Sequence, residues 1–282
     1  MRYATRFAAA CLTIGLLAAT IPAAAQVSAG RGRLEFAARV TPASGRTEPA
    51  RGLTIFLLSK SYDDIKKEAE DKTPKPDLDA FVDQLQFSPE MKGWMKKNHT
   101  VTIIGQGFRD RITPDDLFHV PEFFDAYVNS NLSGLNQGFP APKYDAQDRA
   151  QHTKKYETNK QPYEDLLRKY LTLHPDSKDA MDTILEQVDP STQWGIQEAH
   201  WREHAHQRAL QMAQTDYLAA KTETNLDGRG AFEATPGNYW LCTLDGEALS
   251  GEKHLHWDVS VQVRAGEVTH AELNNLNAEQ RP

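Results

Sequence analysis

The sequence predicts an α+β fold: a seven-stranded antiparallel β-sandwich interrupted by a mainly α-helical insertion. Three observations carry that expectation. Two runs with strand character stand near the start, at residues 34–40 and 53–58. Helical spacing then prevails through residues 61–213, and five further short β-like runs follow it. Two strands before the helices and five after cannot each bury a face alone, so one sandwich split by an insertion is the economical solution. The expected divisions are residues 1–25 as a signal peptide, 26–60 as the first part of the sandwich, 61–213 as the insertion and 214–282 as the second part.

The N-terminal stretch has the order of an export signal. Arg2 and Arg6 precede residues 7–21, which are apolar apart from two threonines and a glycine, and Ala23, Ala24 and Ala25 stand before Gln26. Charged, apolar and small residues in that order mark secretory signals. The apolar run is shorter than the roughly 20 residues of a membrane span, and Pro22 ends it. The expectation is export to the periplasm or beyond, with no transmembrane segment once the signal is removed. Removal also takes Cys11 and leaves Cys242 as the single cysteine. One cysteine forms neither an intramolecular disulfide nor a multi-cysteine zinc site, and in an apolar strand it reads as buried. The formal charge of −7, with no dense Lys/Arg run, excludes a nucleic-acid binder.

Leu34, Phe36, Ala38 and Val40 alternate with Glu35, Ala37, Arg39 and Thr41, which predicts a half-buried strand. Residues 41–51 hold turn formers, and residues 53–58 form a more continuous apolar run, hence a more buried strand. Ser61 with Asp64 resembles a capping box. Leu78, Phe81, Val82 and Leu85 have helical spacing, and Ser88-Pro89 and Thr113-Pro114 open helices by cap followed by proline. Residues 101–104 read as an isolated short strand. Pro121 restarts the chain before Phe123, Phe124, Tyr127 and Val128, and residues 138–144 form a proline-punctuated loop. Tyr163, Leu166, Leu167, Tyr170 and Leu171 mark the next helix; Ala180, Met181, Ile184, Leu185 and Val188 mark another, closed by Pro190. Residues 192–218 hold the longest helical pattern, and no fixed repeat period appears. The later strands are expected at residues 217–224, 231–234, 239–244, 255–263 and 268–273.

The segment Thr222-Glu-Thr-Asn-Leu-Asp-Gly-Arg-Gly-Ala-Phe-Glu-Ala-Thr-Pro-Gly-Asn-Tyr-Trp-Leu241 resembles the signature of carboxypeptidase regulatory-like domains, which are transthyretin-like β-sandwiches. Asp227-Gly228 suits a tight hairpin turn, Phe232 is expected to point inward, and Pro236-Gly237 to turn the chain so that Tyr239 re-enters the sheet. Residues 34–58 match the family's first two strands, and residues 257–263 and 268–273 its last two. The departure is the long insertion, where the family has a short loop. The resemblance implies a non-catalytic accessory, folding or adhesion module and leaves the insertion unexplained.

His200-Trp-Arg-Glu203-His204 fits the H-x-x-E-H pattern of inverted zincins, in which two histidines grip zinc and the glutamate activates water. That pattern defines the alternative reading, a zinc-dependent hydrolase using His200, Glu203 and His204. Helix phase speaks against it. At about 100° per residue, Trp201, Ala205, Ala209, Leu210, Met212 and Ala213 share an apolar arc that includes His206. His200 and His204 fall opposite its centre and are expected to face solvent. The family's third ligand also comes from a later helix, whereas this chain turns to strands after Leu218. His254, His256 and Asp258 are expected on the polar face of one strand. Ser250 and Lys253 copy an S-x-x-K pattern in a loop with no Lys-Thr-Gly partner, and Asn225, Asp227 and Gly228 match only part of a calcium loop, with Ala234 where its Glu should be. No G-x-S-x-G, Walker loop or G-x-G-x-x-G occurs. No cofactor is predicted.

Residues 118–144 are dense in aromatics, with Phe118, Phe123, Phe124, Phe139, Tyr127 and Tyr144 interleaved by Asn129, Asn131 and Asn136. Aromatics among amides line glycan or peptide grooves, and they also build small cores. The sequence therefore predicts an exported binding or interaction module of the bacterial envelope, its partner an envelope protein or a glycan. Phe118, Phe123, Phe124, Tyr127 and Tyr144 are its candidate binding residues.

Overall fold

The computed structural model describes residues 30–43, 45–133, 138–144, 148 and 151–281. The expected signal peptide, residues 1–25, lies outside the described residues, as does Asn136. The chain forms two compact units. One joins the described residues up to Ser61 with those from Leu218 onward, and the other is Tyr62–Tyr217.

The first unit is built of strands. β1 (Gly32–Val40) buries every second side chain: Leu34, Phe36, Ala38 and Val40 point inward while Arg33, Glu35 and Arg39 keep contact with water. Its neighbours come from far along the chain. β5 (Arg229–Ala234) pairs antiparallel with it, Phe232 opposite Leu34, and β10 (Val268–Leu273) pairs in parallel, Thr269 opposite Leu34. The two-residue β2 (Glu48–Pro49) completes this sheet, lying against Arg39 and Val40. A second four-stranded sheet is antiparallel throughout, in the order β4 (Leu218–Glu223), β3 (Thr54–Leu58), β6 (Gly237–Cys242), β9 (Asp258–Val263). A third, small sheet holds β7 (Ala248–Ser250), β8 (Lys253–His256) and β11 (Glu279–Arg281).

Three features differ from the expectation. The strands form three sheets, of four, four and three, rather than seven strands in one sandwich, and the β1–β10 pair is parallel. The run 255–263 is two strands, because the chain leaves the third sheet at Trp257 and enters the second at Asp258. Asp227-Gly228 is a corner and not a hairpin: β4 belongs to one sheet and β5 to another. Asn225 shapes that corner, its side-chain oxygen accepting from the Asp227 and Arg229 amides at 2.9 Å each. Gly228 is required there. Its φ is +71°, and a Cβ would stand 2.4 Å from the Ala38 carbonyl oxygen.

One apolar cluster joins strands of all three sheets through Leu34, Phe36, Ile55, Leu57, Phe232, Leu241, Leu255, Trp257 and Val263. Phe36 and Phe232 stack with centroids 5.5 Å apart. Cys242 is buried, as its apolar strand led one to expect.

The second unit is helical: α1 (Tyr62–Lys72), α2 (Leu78–Gln84), α3 (Pro89–Lys97), α4 (Gly105–Arg111), α5 (Pro114–His119), α6 (Pro121–Ser133), α7 (Thr153–Leu173), a 3-10 turn (Pro175–Met181), α8 (Asp182–Leu185) and α9 (Ser191–Thr215). Short helices need explicit ends, and the sequence indicates two of the caps, Ser88 and Thr113, while Asp77 caps α2 without having been expected. Ser88 accepts from the Met91 amide at 3.1 Å, and Glu122 at the start of α6 grips the Ser88 amide and hydroxyl at 2.6 and 2.7 Å. Thr113 and Asp116 form a reciprocal capping box on α5. Residues 101–104 are not a strand. They are an extended connection whose Val101 and Ile103 are buried in the helical core, which explains their strand-like alternation. Along α1 and α9, which pack together, Ile65 and Ala69 are buried on one helix, and Ala205, Ala209 and Ala213 on the other. Tyr217 donates to Glu68 at 2.7 Å and the Trp201 indole to the Thr73 carbonyl at 3.1 Å.

Candidate functional site

The aromatic segment divides by burial. Phe123 and Tyr127 have no exposed surface. The ring of Phe123 meets Trp94 and Phe108 at centroid distances of 5.0 and 5.2 Å, the first pair at a right angle. Tyr127 bonds the Ser177 hydroxyl at 2.9 Å, and burial raises its phenol pKa despite that bond. Asn131, also buried, donates to the Tyr127 and Ser177 carbonyls at 2.8 and 3.0 Å. Phe123 and Tyr127, expected as ligand-contacting residues, both lie buried in the core of the helical unit. Phe118, Phe124 and Tyr144 are half-buried and pack against that core. Burial first, then the neighbouring Tyr156, pushes the Tyr144 phenol up to about 12, so it stays protonated at physiological pH.

His200, Glu203 and His204 all lie exposed on α9, while Ala205 and Ala209 are buried and His206 is half-buried, as helix phase requires. Among the described residues no three His, Cys, Asp or Glu side chains gather in a group that could hold a metal ion. His204 instead borders an open groove of about 660 Å³ with Gln207, Arg208, Gln211 and Gln214. Those side chains are exposed, and of the rest of the lining only Thr73 and Leu210 are half-buried. His254 and His256 lie on β8, and Glu247 faces both, 2.7 Å from His254 Nδ1 and 3.8 Å from His256 Nε2. Asp258 begins the next strand, so the three expected on one face are divided by the change of sheet at Trp257.

A smaller cleft, about 340 Å³, opens in the helical unit between the start of α5, the end of α7 and the 3-10 turn. Its floor is apolar: Ile112 and Leu117 are buried, Leu171 half-buried, and Pro114 and Pro175 edge it. Thr113, Thr172, Arg168 and Lys178 bring polar groups to the same space. The Arg168 guanidinium lies 4.5 Å from the centroid of Phe118, which joins one of the sequence-identified aromatics to the cleft. Arg168 also bonds Asp115 at 2.9 Å, and Lys178 donates to the Arg109 carbonyl. Arg109 in turn pairs with Asp179 at 3.1 Å and with Asp182, which accepts from the Gly105 amide at 3.1 Å. These bonds fix the 3-10 turn against α4, so the wall carrying Lys178 is braced.

Sequence reasoning missed Ile112, Leu117, Arg168 and Lys178. The signal available was faint: an apolar residue on either side of the Thr113-Pro114 helix start, and a cation beside Leu167 and Leu171. Neither indicates a cleft until the helix ends are placed together. No protein-family model, no curated protein and no solved structure matches this chain. Among the described residues no helix is long and apolar enough to cross a membrane.

Proposed function

We propose that this protein is an exported, non-catalytic binding module of the bacterial envelope whose helical unit holds a small ligand in the cleft between α5, α7 and the 3-10 turn. Export is read from Arg2, Arg6, the apolar run and Ala23 to Ala25. The non-catalytic assignment rests on a sequence without a coherent catalytic motif. On this reading the strand unit is a carboxypeptidase-regulatory-like, transthyretin-like sandwich elaborated with extra strands and interrupted by the helical unit. The buried Phe232, stacked on Phe36, supports that assignment.

The observation that carries the reading is the cleft itself. A concave site with an apolar floor and a few convergent polar groups is the usual form of a small-molecule site. A glycan platform is less well supported, because Phe123 and Tyr127, the centre of the aromatic segment, are closed into the core. The test is an NMR screen of the purified protein against small organic acids, amines and neutral aromatics. Chemical-shift changes are expected to concentrate on Ile112, Leu117 and Leu171. Changes confined to other surfaces, or turnover of a probe, would overturn the proposal.

A further inference from the structure

We infer that the cleft is selective for a small carboxylic acid with a compact apolar body, Arg168 and Lys178 being its charge partners. This rests on the binding reading above and assigns its ligand class. The electrostatic accounting around the cleft favours an anion. Lys178 donates to a backbone carbonyl, and among the described residues no carboxylate lies within salt-bridge distance of its amine. Of the acids on adjoining elements, Asp116 is engaged by Thr113, and Asp179 and Asp182 by Arg109, while Asp176 on the 3-10 turn is exposed to water. Arg168 has Asp115 as its partner, but that carboxylate is 89% exposed, and exposed ion pairs contribute little. A ligand carboxylate over an apolar floor competes with it from a less hydrated position. The Phe118 ring lies against the guanidinium, its centroid 4.5 Å away, which reduces the freedom lost when the fork grips a planar carboxylate.

The rest of the cleft limits the body of the ligand. A space of about 340 Å³ floored by Ile112, Leu117 and Leu171 is at the lower end of small-molecule sites. It fits a phenyl or short branched chain; the Thr113 and Thr172 hydroxyl protons are already given to Asp116 and to the Arg168 carbonyl, so the charge is met by Arg168 and Lys178. An ammonium would face two cations, and a neutral amide would leave Lys178 without a counter-charge.

Phenylacetate, its neutral near-isostere phenylacetamide and 2-phenylethylamine make the test, titrated into the purified protein while the methyl resonances of Ile112, Leu117 and Leu171 are followed. Phenylacetate should bind at least about tenfold more tightly than phenylacetamide, the scale of one charge-assisted hydrogen bond, and the amine should not bind. Arg168→Gln and Lys178→Gln should each weaken phenylacetate by about tenfold and leave phenylacetamide unchanged. Asp115→Asn, which frees Arg168, should tighten phenylacetate severalfold, a gain that no loss of folding can imitate. Equal affinity for acid and amide, or no tightening in Asp115→Asn, would refute the ligand class while leaving a binding cleft. Absence of shifts at the three residues with every probe would refute the cleft reading beneath it.

Discussion

The strand unit and the helical unit are each built in a different way, the first from strand pairings far apart in sequence and the second from short helices whose ends are set locally and whose faces then pack. In the strand unit Gly32 pairs with Ala234, and Thr54 with Glu223. In the helical unit the structure is assembled from short helices with local ends: Ser88 caps α3, the Thr113–Asp116 box caps α5, and Pro89, Pro114 and Pro121 set the starts. The difference teaches where function has room to develop. Strands whose inward faces share one apolar cluster have little freedom, because a change of register exposes the whole face. Short helices joined at prolines leave gaps between their ends, and the cleft at Thr113, Pro114 and Pro175 is such a gap.

The comparison breaks most readily at its cores. Phe123→Ala should cost the helical unit about 3–5 kcal/mol, as for a fully buried phenylalanine, read as a fall in its denaturant midpoint with Trp94 fluorescence as the reporter. Half-buried Phe118 should cost clearly less when truncated; equal losses would mean that Phe118 is core as well. In the strand unit Gly228→Ala puts a Cβ against the Ala38 carbonyl at positive φ and should cost about 1–3 kcal/mol.

Smaller effects sharpen the local character of the helical ends. Thr113→Ala removes the α5 cap and should cost about 1 kcal/mol. Burial alone would raise the Asp116 carboxyl, but the Thr113 hydroxyl and amide hydrogen bonds, with Lys97 and Trp94, together hold its pKa below the ordinary 3.8. A depressed carboxyl stabilises the fold above its unfolded pKa and loses that contribution as pH falls through the folded value. The gap between wild type and Thr113→Ala should therefore narrow below pH 3.8. Tyr144 acts in the alkaline range. With its folded pKa raised from 10 to about 12, the unfolded chain releases the proton first, so stability should decline as pH rises through that window. Tyr144→Phe should flatten the decline in an alkaline unfolding series. The smallest effect is expected on α9, where His200→Ala and His204→Ala, both exposed, should stay within about 0.5 kcal/mol of wild type.

Much of the local structure was legible in the sequence because burial imposes a period. The alternation from Leu34 to Val40, the inward Phe232, the caps at Ser88 and Thr113 and the solvent-facing His200 and His204 all follow from periodicity or end chemistry. The same periods mislead where tertiary placement decides. Val101 and Ile103 alternate because they plug the helical core, and residues 255–263 look continuous because nothing local marks the change of sheet at Trp257. Phe123 and Tyr127 have the composition of a recognition surface, and only packing assigns them to the core. The cleft was the least legible feature. Arg168 and Lys178 are ten positions apart on different elements, and their convergence depends on Arg109 bracing the 3-10 turn.

The central claim, that the helical unit buries its aromatic centre and binds at the gap between helix ends, is tested most directly by a crystal structure of the protein soaked with phenylacetate. Density is expected over Ile112, Leu117 and Leu171, with the carboxylate facing Arg168 and Lys178. Density elsewhere on the molecule with this cleft empty, or a ring contacting Phe123 and Tyr127, would contradict it.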